Sequence, residues 1–280
     1  MASLTDAAVR SGIGRLLEGP RYEVIPVAGI EDKLRSLPPG TRVTVTASPA
    51  HGQARTVDVA ERLAVRGYDV VPHLSARMMG GRQDLIDFTA RLGDAGINEA
   101  FVIGGDASPP AGPYADAGDL LDELAGLDHP FTTIGVGGYP EGHPVIPDDK
   151  LLEALLRKQA HADYVVTQLC FDAAALTGWM GTIREQGVKL PVVVGLPGVV
   201  ERRKLAEISL KSGVGASLRY LRKHRREMIA LTRARRYDPT PLLRSVAGRL
   251  HDDGLDASGV HLFTFNQVDA TRAWVRSTSS

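Results

Sequence analysis

Eight short apolar runs recur along this 280-residue chain, and their rhythm constrains the fold more than any other feature. They are RYEVIPV (21–27), RVTVTAS (42–48), YDVVPHL (68–74), EAFVIGG (99–105), FTTIGVG (131–137), DYVVTQL (163–169), PVVVGLP (191–197) and VHLFTFN (260–266). Most are rich in β-branched residues and continuously apolar rather than alternating, which suits strands buried on both faces of a parallel sheet. Helical patterns fill the gaps. ARTVDVAERLAVRG (54–67) and RQDLIDFTARLGDAG (82–96) repeat apolar residues at i, i+3 and i+4 and end at glycine, and 151–162 and 173–187 read the same way. Eight strands alternating with helices over about 250 residues predict a (β/α)8 TIM barrel of the α/β class. A doubly wound open sheet is the runner-up, because counting strands does not show closure.

The last third is irregular. A long helical stretch, roughly 199–254, separates the seventh strand from the eighth and implies extra helices there. It carries RYLRKHRREMIALTRARR (219–236), read as a solvated helix face or as a rim that attracts carboxylates or phosphates. No linker divides the chain, so 1–280 is taken as one barrel domain.

Composition narrows the function classes. Net charge is zero, which argues against a general nucleic-acid binder. No apolar run approaches the ~18 residues of a membrane span, so no membrane partner is expected. The N-terminus lacks the charged start and apolar block of a secretion signal. The single cysteine, Cys170, excludes an internal disulfide framework and fits a reducing cytosol, so a cytoplasmic placement is expected.

In such a barrel the ligand site lies at the C-terminal ends of the strands. The sequence delivers Glu23, Thr46, His73, Gly105 and Asp106, then GGYPEGHP (137–144), then Gln168 and Phe171, then Phe263, Phe265 and Asn266. Glu23 stands inside an apolar strand, where an unpaired carboxylate costs several kcal/mol. It is therefore paired, protonated or catalytic. His73 reads equally as a core histidine or a ligand contact, and the phenylalanines as core. Asp106 reads as a helix or turn cap or as a site residue. VIGGD lacks the third glycine of a dinucleotide fingerprint, and histidines 51, 73 and 143 lack the close spacing of a local zinc site, so no metal is expected.

Taken together, these segments resemble the methylenetetrahydrofolate reductase family from about Tyr22 to Val275. YEVIPV is similar to its first strand, VVPHLSAR to its third, INEAFVIGGDASPP to its fourth, IGVGGYPEGHP to its fifth and LPVVVGLPGV to its seventh. YPEGHP followed some twenty residues later by TQLCFD is the specific signature. The resemblance implies reduction of 5,10-methylenetetrahydrofolate to 5-methyltetrahydrofolate in one-carbon metabolism. It implies Glu23 as general acid, Asp106 beside the pterin and the developing cation, and Gln168 against folate and nicotinamide. It places Thr46, His73, Tyr139 and His143 along a cofactor slot, with Arg157 and Lys158 near its phosphates. Beside these, Gly105 is read as a cofactor contact, and Phe171, Phe263 and Gln267 as substrate contacts. Glu141 is read as structural.

Departures from the family bear on the cofactor. Usual members hold FAD. Here Ala47-Ser48-Pro49 replaces an aromatic residue and a glycine-rich turn, Gly104 replaces an arginine, and Gln267 stands where an arginine clamps the folate glutamate. Each lost charged contact is worth about 1.5–3 kcal/mol. The reading is an atypical, flavin-free member in which NADH, with NADPH as the alternative, passes hydride directly to folate, and FAD is doubtful. The alternatives are the same reaction through bound FAD, or a non-catalytic barrel that binds folate or nucleotide. Homo-oligomerisation is left open.

Overall fold

The computed structural model describes residues 2–204 and 236–279. Eight strands hydrogen-bond in sequence order, each parallel to the next, and the eighth returns to the first to close the barrel. They are β1 (Arg21–Val24), β2 (Arg42–Val45), β3 (Asp69–Ser75), β4 (Glu99–Ile103), β5 (Thr133–Gly138), β6 (Tyr164–Thr167), β7 (Val192–Pro197) and β8 (Val260–Phe263). All eight apolar runs are strands, and closure selects the barrel over the open sheet. β1 is shorter than its apolar run. Val27 N donates to Ile25 O in a turn around Pro26, which has no N–H for a ladder.

The helices are α1 (Ala2–Leu16), α2 (Ile30–Lys33), α3 (Gly52–Val65), α4 (Arg82–Asp94), α5 (Ala117–Ala125), α6 (Asp148–Lys158), α7 (Ala173–Glu185), α8 (Thr240–Asp252) and α9 (Val268–Thr278). The sequence reading placed no helix at α1, α5 or α9. Two helices begin on aspartates that satisfy otherwise orphaned N–H groups: Asp116 accepts from Gly118 and Asp119, and Asp172 from Ala174 and Ala175. α8 lies between β7 and β8, as the interruption there implied. The basic stretch 219–236 falls, except for Arg236, outside the described residues. Arg236 pairs with Glu201 in an antiparallel bridge, and Tyr237 N donates to Val200 O, so the two ends of that segment meet.

Alternation along the strands sorts the residues into two cores. Val24, Val43, Val45, Val70, Val102, Val136, Val165, Val192, Val194 and Leu262 face outward and pack under the helices. Val71, Phe101, Tyr164, Val166 and Val193 fill the barrel itself. Each such side chain removed from water contributes roughly 1.5–3 kcal/mol. The barrel interior also holds charge. At its N-terminal end Arg21 Nη1 lies 2.5 Å from Glu99 Oε1, and Tyr164 OH donates to the same oxygen at 2.6 Å. The Arg21 guanidinium sits 4.4 Å over the Tyr164 ring, and Arg42 Nε donates to Asp69 Oδ2 at 2.8 Å. A side chain at Gly135 would run into the Tyr164 ring, so β5 needs glycine there.

Candidate active site

At the other end of the barrel the strand termini enclose a cavity of about 260 Å3. Of the residues singled out from sequence, Glu23, Thr46, His73, Gly105, Asp106, Tyr139, His143, Gln168, Phe263 and Phe265 line it. Four lie elsewhere. Phe171 is buried beside it with Leu169, Val200 and Phe265, edge-on to Tyr237 at 5.9 Å. Gln267 begins α9, and its Oε1 accepts from Glu201 N at 3.2 Å. Arg157 lies on the outer surface, where its Nη2 donates to Asp122 at 2.6 Å and Asp119 at 3.0 Å. Those bonds hold its pKa well above the ordinary arginine value. Lys158 is buried behind β5 and donates to Gly137 O at 2.8 Å; burial pulls its pKa down to about 8.

Glu23 is fixed by β8. Thr264 Oγ1 donates to Glu23 O at 2.6 Å, and Asn266 bonds both Ile25 N and Ile25 O. Phe265 and Asn266 take left-handed backbone conformations, φ 47° and 64°, to make this seam. The Glu23 carboxylate is 12% exposed at the cavity floor, and its Oε2 lies 3.0 Å from His261 Nε2. His73 Nε2 approaches the same oxygen only to 3.8 Å, too far for a hydrogen bond. Burial drives the His73 pKa down to about 4, the Glu23 charge opposing and His261 adding to the effect, so this imidazole is neutral at physiological pH. Three side-chain atoms of the upper barrel are buried without a protein partner: Thr44 Oγ1, His73 Nε2 and His261 Nδ1.

Asp106 stands exposed at the rim on the loop after β4. Arg77 grips that loop: its N donates to Gly104 O at 2.9 Å and its Nε to Ala107 O at 2.7 Å. Gly105 has φ 83°, and a Cβ there would collide with the Ser75 hydroxyl. Glycine is therefore required for the turn that presents Asp106. Opposite, Tyr139 and His143 meet edge to face at 5.4 Å. Burial, with the Asp106 charge adding, raises the Tyr139 pKa; burial lowers that of His143 against the opposing Asp106 charge. Glu141 does not line this cavity. Its Oε1 accepts from Phe171 N at 2.9 Å, Asp172 N at 3.0 Å and Cys170 Sγ at 3.3 Å, bolting the YPEGHP loop to the loop after β6. The same loop walls a second cavity, about 580 Å3, on its outer side between α6 and α7.

Sequence reading missed His261. The signal was there: it lies two residues before Phe263, and period-two alternation puts both on the inner face. A lone histidine in an apolar strand gave no reason to choose it. Phe101, Ile103 and Val166 also line the cavity, as ordinary strand residues whose inward facing only closure reveals, as does Leu169 just past β6. Among the described residues, no group of three or more His, Cys, Asp or Glu is placed to hold a metal ion, and no helix is long and apolar enough to cross a membrane.

Comparison with known proteins bears on what this cavity serves. In solved structures the barrel is similar to an uncharacterized protein from Clostridium thermocellum described as binding two copies of 5-methyl-5,6,7,8-tetrahydrofolic acid. The TM-score is 0.65 with 10% identity, over 95% of this chain and 97% of that one, which establishes a common fold. Among curated proteins, methylenetetrahydrofolate reductase 2 of Saccharomyces cerevisiae is 28% identical over 169 residues, 57% of this chain and 27% of that one. A probable methylenetetrahydrofolate reductase (NADPH) of Caenorhabditis elegans is 24% identical over 231 residues, 78% of this chain and 33% of that one. Methylenetetrahydrofolate reductase (NADH) 1 of Arabidopsis thaliana is 32% identical over 121 residues, 36% of this chain and 20% of that one. The chain thus spans about a third or less of the length of these curated relatives. The family model for methylenetetrahydrofolate reductase matches residues 30–278, which takes in β2 to β8 but not β1, and the chain belongs to that family.

Proposed function

We propose that this barrel reduces 5,10-methylenetetrahydrofolate to 5-methyltetrahydrofolate with a reduced nicotinamide dinucleotide, by direct hydride transfer. The observation that carries the reading is that Glu23 and Asp106 line one cavity at the C-terminal end of a barrel of this family. The bridge carbon is a poor hydride acceptor while both nitrogens hold it. Glu23 gives a proton to N10, the C–N10 electron pair moves onto N10, and an N5-iminium cation remains. Asp106 stabilises that cation electrostatically. Gln168 orients the bound ring: its Oε1 is held by Leu169 N at 2.8 Å, which leaves the amide nitrogen for the cavity. Hydride from the dihydronicotinamide then completes the methyl group.

The residues present do not fit FAD. Arg157, which the family likeness sets near the flavin phosphates, is engaged by Asp119 and Asp122, with Asp116 at 3.6 Å. Three aspartates on and beside α5 repel a diphosphate. Lys158 is turned inward onto Gly137 O, and Gly104 offers no side chain. A dihydronicotinamide is itself a hydride donor and needs no flavin between it and the iminium. Among the described residues no arginine pair stands in an obvious ribose-binding loop, which favours NADH over NADPH.

The test is anaerobic oxidation of NADH and of NADPH by the purified chain, with and without 5,10-methylenetetrahydrofolate and with and without added FAD. Folate-dependent oxidation that FAD does not stimulate is the expected result, together with no visible band near about 450 nm. A flavin band in the purified protein, or activity only after FAD is added, overturns direct transfer. No folate-dependent oxidation under any condition overturns the reaction itself.

A further inference from the structure

We propose that His261 is a positioning residue for the acid: its Nε2–H holds Glu23 Oε2 and so reserves Oε1 for the proton delivered to substrate. The proposal rests on the reading of Glu23 as general acid, and deepens it. Three observations carry it. First, the contact is a hydrogen bond at 3.0 Å, and it is the only hydrogen bond made to the Glu23 carboxylate among the described residues. Second, the histidine is rigid. It is 1% exposed, with the Phe263 ring at 4.9 Å and the Phe101 ring at 6.5 Å. The register that sets Arg21 against His261 and Glu23 against Phe263 turns its Nε2 toward the carboxylate from the neighbouring strand.

Third, the pattern of partners selects the tautomer. His261 Nδ1 is buried with no partner. A proton on Nδ1 would leave an orphaned buried donor and would point the Nε2 lone pair at a carboxylate oxygen. A proton on Nε2 leaves only an orphaned acceptor, the cheaper fault, and makes the Glu23 bond a donated one. The bond then strengthens as the reaction proceeds. When the Oε1–H bond breaks and the N10–H bond forms, Glu23 becomes a full carboxylate, and a charge-assisted hydrogen bond replaces a neutral one. His73 does not share this task, since its Nε2 stops at 3.8 Å.

The test compares His261→Gln, His261→Asn and His261→Leu in the same oxidation assay, with thermal melts to verify folding. A glutamine amide reaches about where Nε2 lies; an asparagine amide falls short, near Nδ1. Leu and Asn are expected to lower kcat about 10- to 100-fold with KM for the folate little changed, while Gln recovers most of the rate. In a Glu23→Gln background His261→Leu should cost nothing further, because it acts through Glu23. A His261→Leu variant within twofold of the native kcat overturns the assignment, as does a full additive loss in the double variant. If His261→Leu fails to fold, the Gln and Asn pair decides: equal rates in the two overturn it. Failure of the native chain to turn over folate overturns the reaction itself, a result distinct from native activity that survives loss of His261.

Discussion

The barrel interior holds two charged layers, and they differ in how completely they are paired. In the lower layer Glu99 takes Arg21 and Tyr164 on one oxygen, Arg42 reaches its other oxygen at 3.7 Å, and Arg42 is itself held by Asp69. No side-chain atom of that layer is buried without a partner. In the upper layer the Glu23 carboxylate has one hydrogen bond, and Thr44, His73 and His261 each keep a buried polar atom without a hydrogen-bond partner among the described residues. Buried polar groups left unpaired cost about 1–3 kcal/mol each, so a fold does not retain them for stability. The lower layer closes the barrel; on the proposed reading the upper layer serves the reaction, at some expense to the fold.

Two substitutions should separate these roles. Glu23→Gln is expected to lower turnover by about 10²–10⁴ while leaving the melting temperature unchanged or slightly raised. A near-native rate would remove Glu23 from the acid's role; a collapse in melting temperature would place it with the lower layer. Glu99→Gln should do the reverse. It strands Arg21 beneath the barrel without its counter-charge, at a cost of about 3–5 kcal/mol in urea unfolding. The kcat of the folded fraction should stay within twofold of native. If unfolding free energy hardly moves, the pairing in the lower layer is incidental, and the contrast between the layers fails.

Much of this was legible in the chain, for identifiable reasons. A strand buried on both faces is mostly apolar and β-branched, and even β1 and β2, which carry interior charge, keep that character around it, so all eight strands were legible. α5 and α9 are short and close to polar loops, and their evidence in the chain is mainly a capping aspartate or a terminal position. The rim residues were legible where they broke a pattern: Glu23 within an apolar strand, Asp106 after two glycines, Tyr139 and His143 within a proline-stiffened loop. His261 breaks its strand no more than Phe263 does, and only the closure of β8 on β1 brings it to Glu23. Arg157 shows the opposite failure. The family resemblance set it near a phosphate, with the register one residue short, but α5 meets it with aspartates, and likeness along one helix carries no information about the charge on its neighbour.

The smallest expected effect probes the upper layer through pH. His73 is 5% exposed, and the titratable groups facing it are Glu23 and His261. Burial lowers its folded pKa to about 4, against about 6.5 in an unfolded chain. Between those values the unfolded state binds a proton that the folded state refuses. Stability therefore rises with pH across this window and is lost as pH falls through it, by at most about 1.4 kcal/mol per pH unit from this group. Above about pH 6.5 both states hold a neutral ring, and the contribution of His73 is level. His73→Gln removes the titration, so its unfolding free energy should fall less steeply from pH 6.5 to 4 than that of the native chain. Parallel curves for the two proteins would mean that His73 ionises in the folded barrel. The upper layer would then take up a proton in the native state, beside a carboxylate that has only one hydrogen bond to share.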